Sequence, residues 1–301
     1  MMWKKRLLHA LAALATALLV ACGPKPTTSK TINIASKPMT EQFILAEMLG
    51  LLIEAHSDLK VNISKGIGGG TANIHPALLK GEFDLYPEYT GTSWLYVLKK
   101  PPLADEAALF KQLNEAYQKE FALEWVGRYG FNNTFGLAVR KEVADKHGLK
   151  TYSDLAPHSA SYRFGAEYDF YERSDGYEAL AKTYGLAFKE KRDLDIGLKY
   201  AAISKGQIDA MNIFTTDGQL GVAPITVLQD DKRLYPNYYA GTVARSATLQ
   251  QHPELRAILM KMDQLISNAD MIAMNHAVES EKRNEKDVAA DFLRRKGLIP
   301  Q

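Results

Sequence analysis

Residues 66–92, GIGGGTANIHPALLKGEFDLYPEYTGT, decide how this chain folds. Gly66, Gly68, Gly69 and Gly70 crowd the start of the stretch, a cluster that helix and strand interiors reject. A short helix follows over residues 73–80. An apolar strand over 83–86 then leads to Tyr86, Tyr89 and Thr92. Glycine permits positive φ and close approach of backbone to ligand, and tyrosine faces can hold a cation. The stretch therefore reads as a small-molecule site built at loop ends. It lacks the Lys-Ser/Thr of a phosphate loop and the spacing of a dinucleotide fingerprint. A purely structural turn is the alternative reading of the glycines.

Outward from this stretch the pattern repeats. Residues 31–36, TINIAS, alternate polar and apolar as a strand does. Thr40 reads as the N-cap of a helix, with Glu41 and Gln42 in its first turn. Phe43, Leu45, Met48, Leu49 and Leu52 give that helix an apolar face, and residues 61–64 form a second strand. Strand, helix, strand, helix, strand is the order of a parallel α/β sheet. After a helix over 105–121 comes a second series: strands at 132–140 and 162–165, helices over 174–184 and 196–205, and a strand at 210–214. Residues 206–210, GQIDA, echo residues 81–85, GEFDL, which suggests two lobes of related construction. Beyond residues 235–242 the chain is almost wholly helical, with Pro253 near a helix start and Gly297 as a stop. Ligands of parallel α/β sheets gather at the carboxyl ends of strands. Both echo segments lead to such ends, at residues 86–92 and 214–217.

The N-terminus reads differently. Lys4, Lys5 and Arg6 precede an apolar run to Ala21, too short to span a bilayer and suited to a signal segment over residues 1–21. Leu19-Val20-Ala21-Cys22 resembles a bacterial lipobox, which implies cleavage before Cys22 and acylation of that residue. Residues 22–30, rich in Pro, Thr, Ser and Lys, read as a tether. Cys22 is the single cysteine of 301 residues, so internal disulfides are excluded. Loss of residues 1–21 leaves 34 basic against 35 acidic residues, a balance unsuited to a nucleic-acid binder. The seven histidines show no metal-ligand spacing, and no nucleophile elbow is present. Neither a metal, a cofactor nor a catalytic group is expected.

Aromatic residues at strand and loop ends are the positive signal: Tyr86, Tyr89, Phe135, Phe214, Tyr235, Tyr238 and Tyr239. Singly, each is accounted for by packing. Four converging on one cleft would hold a quaternary ammonium, which has no N–H to donate and must be bound by π faces. Six ordered motifs then carry a resemblance: SKPMTEQFILAEML, GGGTANIHPALLKGEFDLYPEYTGT, YGFNNTFGLAVR, FGAEYDFYERSDGY, TTDGQL and YPNYYAGTVAR. Over residues 31–298 the chain resembles the substrate-binding lipoproteins of osmoprotectant (glycine betaine/carnitine/choline) ABC importers.

That resemblance implies an α/β, two-lobed type II periplasmic-binding-protein fold whose cleft closes on its ligand. Residues 31–134 and 239–301 would form the first lobe and 135–238 the second. It also implies Tyr89, Phe135, Phe214 and either Tyr238 or Tyr239 as cage positions. Thr92 and Asn133 would be polar contacts, with Gln42 and Thr71 as weaker ones. Phe135 and Phe214 depart from the tyrosine common in the family, which keeps the π face and loses a hydroxyl. The expected protein is an extracytoplasmic, lipid-anchored monomer, not an enzyme, that hands glycine betaine, carnitine, choline or a related betaine to an ABC permease. Three rival readings stand beside it: a different ligand such as ergothioneine, an extracytoplasmic enzyme on the same fold, and a scaffolding lipoprotein.

Overall fold

The computed structural model describes residues 30–103 and 105–301. The leader, Cys22 and nearly all of the tether lie outside these residues. Ten strands form two five-stranded mixed sheets. The first contains β1 (Thr31–Ala35), β2 (Lys60–Ser64), β3 (Leu85–Tyr89), β4 (Leu123–Asn132) and β10 (Tyr239–Arg245), in the order β2-β1-β3-β10-β4. The second contains β5 (Phe135–Arg140), β6 (Arg163–Ala166), β7 (Glu190–Asp193), β8 (Ala210–Phe214) and β9 (Ile225–Val227), in the order β7-β6-β8-β5-β9. In each sheet three parallel strands meet one antiparallel strand that arrives from the other half of the chain. The chain therefore crosses between the lobes twice, at residues 132–135 and 235–239.

The echo motifs have a common physical role. In the first lobe the Asp84 carboxylate accepts the Asn33 amide at 2.8 Å, and the Asp84 amide donates to the Asn33 carbonyl. In the second lobe Asp209 does the same to Arg163, accepting its amide at 2.9 Å and donating to its carbonyl. The antiparallel strand closes the pattern each time, through Arg245 N–H to the Asp84 carbonyl and Arg140 N–H to the Asp209 carbonyl. An aspartate at this place pairs the backbone of a strand start that the ladder alone leaves open.

Helix α1 (Thr40–His56) is the axle of the first lobe. Ile44, Leu45, Met48, Leu49, Leu52 and Ile53 are wholly buried, and Glu41, Gln42 and Gly50 are buried too. A helix buried nearly all round lies inside the fold rather than on its surface. Phe43, expected on the buried face, is only partly buried and lies under Lys65. Met39 is the N-cap and Thr40 the first helical residue, one position earlier than the sequence suggested. The C-terminal helices α11 (Asn268–Glu279) and α12 (Glu285–Arg295) close over α1. Strand β3 runs to Tyr89 rather than ending at Tyr86. β4 was not anticipated: Gly127 and Gly130, both at positive φ, interrupt its apolar alternation.

Glycine 218 shows how closely the lobes meet. A Cβ there would lie 2.4 Å from the His276 amide nitrogen in α11. Beside this contact three carboxyls gather, Glu41, Asp217 and Glu279. All are held above the usual carboxylate range, chiefly by burial, and Glu279 is pushed up to about 7. A carboxyl raised by folding binds its proton more tightly in the native state than in the unfolded one. Stability from this cluster is therefore greatest at acidic pH and falls as pH rises from about 4.3, the unfolded glutamate value, towards 7. Thermal melting from pH 4.5 to 8 should show this decline in the native chain and a flatter profile in Glu279→Gln; equal slopes would exclude Glu279 as the source.

Candidate functional site

Between the sheets lies a cleft of about 770 Å³ with walls from both lobes and both crossovers. That volume is ordinary for a small-molecule site. Its first wall comes from the glycine turn. Gly69 and Gly70 hold φ of 73° and 49°, and Gly70 precedes helix α2 (Thr71–Lys80) as its N-cap. A side chain at Gly69 would strike Asn73, and one at Gly70 would meet Asp169 of the opposite lobe at 3.0 Å. The glycines thus make a turn lining the cleft, as expected. Thr71 reaches the cleft, but its hydroxyl donates to Glu88 at 2.7 Å.

Strand β3 delivers the next wall. Tyr89 lines the cleft with its ring, while its hydroxyl donates to Glu41 at 2.6 Å. Tyr86 lies wholly buried behind, donating to Glu88. A π-helical turn, Thr92–Val97, follows the strand after Thr90 and Gly91. With i→i+5 bonding and more residues per turn, it brings both Thr92 and Tyr96 to the cleft. No described residue takes the Thr92 hydroxyl. π-Helical turns are rare and concentrate at functional sites.

The crossovers and the second lobe supply the remaining rings. Phe135 lies 5.5 Å from Phe214 and 5.7 Å from Tyr238, ring centre to ring centre, and all three line the cleft. Asn133 lines it as well; its amide nitrogen donates to Glu41 at 2.8 Å, while its side-chain oxygen is buried without a partner. Tyr89, Thr92, Asn133, Phe135, Phe214, Tyr238 and Thr71 are therefore brought together. Two candidates are not. Gln42 is buried within α1 beside the Tyr89 hydroxyl, outside the lining. Tyr239 points to the far side of the crossover, its ring under Arg128. Of the two adjacent tyrosines, Tyr238 is the one in the cleft.

Charged residues are what the sequence reading missed. Lys37 is buried in an ion pair with Glu88, and its Nζ stands 4.9 Å from the Tyr89 ring centre. Burial lowers its basicity, against the pull of Glu88. Lys199 pairs with Glu167 at 2.7 Å and stands 4.9 Å from the Phe214 ring centre. Arg173 forks onto Asp175 through bonds of 2.8 and 2.6 Å, and Asp175 also accepts the Tyr238 hydroxyl at 2.5 Å. The guanidinium lies 5.3 Å from the Tyr96 ring centre and 5.4 Å from that of Phe135. Although burial opposes its charge, Asp175 holds Arg173 firmly protonated.

Each of these cations has its own carboxylate. By contrast Asp169, Glu172 and Asp193 line the cleft with no ion-pair partner among the described residues. Burial pushes the Asp169 carboxyl up. The described lining of the cleft thus holds more carboxylates than cations. The i+4 step from Thr92 to Tyr96 was visible in the sequence. Pairs such as Lys37 and Glu88, separated by 51 residues, carry no local signal.

Tyr238 is held in place by close packing as well as by Asp175. A Cβ at Gly91 would lie 2.5 Å from its ring, so Gly91→Ala should displace the ring into the cleft. Overpacking of this kind costs about 1–3 kcal/mol. The substitution should lower the melting temperature and weaken ligand binding; unchanged values for both would contradict the packing described.

The family model described as the substrate binding domain of ABC-type glycine betaine transport systems matches residues 30–295. The ergothioneine transport permease/ergothioneine binding protein EgtU of Helicobacter pylori is 46% identical over 269 residues, 89% of this chain and 48% of that protein. This chain thus spans about half the length of that relative. The carnitine transport binding protein OpuCC of Listeria monocytogenes is 31% identical over 271 residues, 89% of this chain and 88% of that protein. A crystal structure of a glycine betaine/carnitine/choline ABC transporter protein superposes with a TM-score of 0.71 at 32% identity, covering 89% of this chain and all of that one. The fold is accordingly the two-lobed one of that group, and the chain belongs to the family of substrate-binding domains of ABC-type glycine betaine transport systems.

Proposed function

We propose that this chain captures a small quaternary ammonium solute in the interlobe cleft and presents it to an ABC permease. The observation that carries the reading is the set of π faces in one cleft with an excess of unpaired carboxylates. Tyr89, Phe135, Phe214 and Tyr238 form the cage. Three of these rings already have a side-chain cation close by, which marks them as cation-accepting surfaces. At the ligand's other end, the Thr92 hydroxyl donates to a carboxylate, and the oxygen of Asn133, unpartnered among the described residues, accepts from a ligand hydroxyl. Thr71 acts indirectly, by donating to Glu88, while the buried Gln42 side chain makes no hydrogen bond among the described residues. Capture follows from geometry: only with the lobes together can one solute touch residues of both, so ligand favours the closed state. No bond is made or broken. Anchoring through an acylated Cys22, a monomeric state and an extracytoplasmic location complete the reading.

A second reading keeps the site and enlarges the ligand to a ring-bearing betaine such as ergothioneine. It is favoured by the 46% identity to a protein named for that compound, and by carboxylates beyond the cage, Asp169, Glu172 and Asp193, that could accept ring N–H groups. The absence of hydroxyls at Phe135 and Phe214 also suits a ligand held by faces more than by hydrogen bonds.

Calorimetric titration of the chain from Ser29 onward with glycine betaine, carnitine, choline and ergothioneine discriminates between these. At least one should bind, and silence across all four would sink the quaternary-ammonium reading; ergothioneine binding alone would select the second. Within the productive ligand, Tyr89→Ala should weaken binding roughly 3- to 30-fold, the equivalent of about 0.5–2 kcal/mol of cation–π attraction. Tyr86→Ala, behind the wall, should weaken it less. Equal or reversed effects would remove Tyr89 from the cage.

A further inference from the structure

Behind the crossovers, on the side away from the cleft, lies a second cavity of about 400 Å³. Its walls also come from both lobes, and Phe135 lines both cavities. Two guanidiniums face it, those of Arg128 and Arg233. Neither has a carboxylate within ion-pair distance among the described residues. Arg128 is held between rings instead, 4.9 Å from the Phe110 centre and 5.5 Å from that of Tyr239.

The two lining carboxylates are already engaged. Asp230 accepts the Tyr184 hydroxyl and the amides of Leu234 and Tyr235, the latter at 3.1 and 3.0 Å. Glu106 accepts from the Asn237 side chain and from the Tyr239 hydroxyl. The buried hydroxyl of Tyr235 has no partner among the described residues. Those bonds leave Asp230 and Glu106 charged but turned to protein donors; the groups free to face an occupant are the two guanidinium forks, the Tyr235 hydroxyl and apolar walls from Leu109, Phe110 and Phe135. Guanidinium forks match phosphate and carboxylate geometry.

We propose that this cavity is a second ligand site, for a small anion with an aromatic or apolar body, and that its occupancy biases the position of the lobes. An occupant touches both lobes from the side opposite the cleft. Closing the cleft moves the rear walls apart, so the occupant has different contacts in the open and closed states and shifts their balance. Phe135, the shared wall, transmits its position directly. Any such coupling is reciprocal between the two sites. The inference does not depend on which solute the cleft takes.

Phenyl phosphate is the probe, titrated calorimetrically into the full chain in detergent, with inorganic phosphate and phenol as separate arms. Phenyl phosphate should saturate one site. Inorganic phosphate should bind at least tenfold more weakly and phenol not at all. Arg233→Gln, an exposed position, should weaken phenyl phosphate at least threefold and Arg128→Gln at least tenfold, with Arg128→Lys restoring part of the loss. Amide exchange at residues 132–136 should slow when the site is full. Absence of binding, binding indifferent to both arginines, or unchanged exchange at saturation would each overturn the proposal. No arm uses a quaternary ammonium, so failure here and failure of the cleft's reading are separable.

Discussion

One buried carboxylate holds the two halves of this molecule in relation to each other. Glu41, in the first turn of α1, has no cation beside it among the described residues; neutral donors satisfy it. Tyr89 comes from a strand of the first lobe, Asn133 from a crossover, Thr216 from the loop that ends a strand of the second lobe, and Asn275 from a C-terminal helix. A buried acceptor of this kind is costly unless its hydrogen bonds are made. The four donors are thereby fixed relative to one another. The site inherits its geometry from that requirement: Tyr89 shows the cleft its face because its hydroxyl is held from behind. Asn133 offers its oxygen because its nitrogen is engaged.

The same logic runs through the other charged groups. Lys37, Lys199 and Arg173 each stand close to a ring of the cleft and each is tied to a carboxylate. Their charges are balanced locally, so they brace the rings without making the cleft repel a cation. The acids left over at the cleft set its sign. The aromatic set alone would be compatible with ordinary packing; the excess of acids without ion pairs around it is what distinguishes the cleft from a packed core.

Most of the architecture could be read from local signals. The glycine turn, the axial helix, the parallel strands and the echoing Gly-x-x-Asp segments depend on short-range chemistry, and the structure places them where that chemistry leads. Strand β4 escaped because Gly127 and Gly130 break its alternation at a bulge. Thr40 looked like a cap because its residue type favours that place, whereas the extended backbone at Met39 takes it. In the site, residues at strand ends were legible and the ion pairs were not. Lys37 with Glu88, and Glu41 with Thr216, are joined by folding across long separations, so neither partner announces the other. Tyr238 and Tyr239 differ only in which way a strand begins, and that depends on the register of β10 against β3 and β4.

The place of β10 in the first sheet has a consequence for the order in which this protein can be made. That strand lies between β3 and β4 yet is contributed by residues 239–245, after the whole second lobe has been synthesised. Until it arrives, β3 has an open edge and β4 has no neighbour in the sheet. The second lobe, by contrast, draws all five strands from one continuous segment. Its contacts are nearer in sequence, and loop closure favours them. A chain emerging from its N-terminus thus presents its second lobe as the first finished body, while the first lobe, which carries Tyr89 and the glycine turn, stays incomplete until the C-terminal helices follow β10 into place.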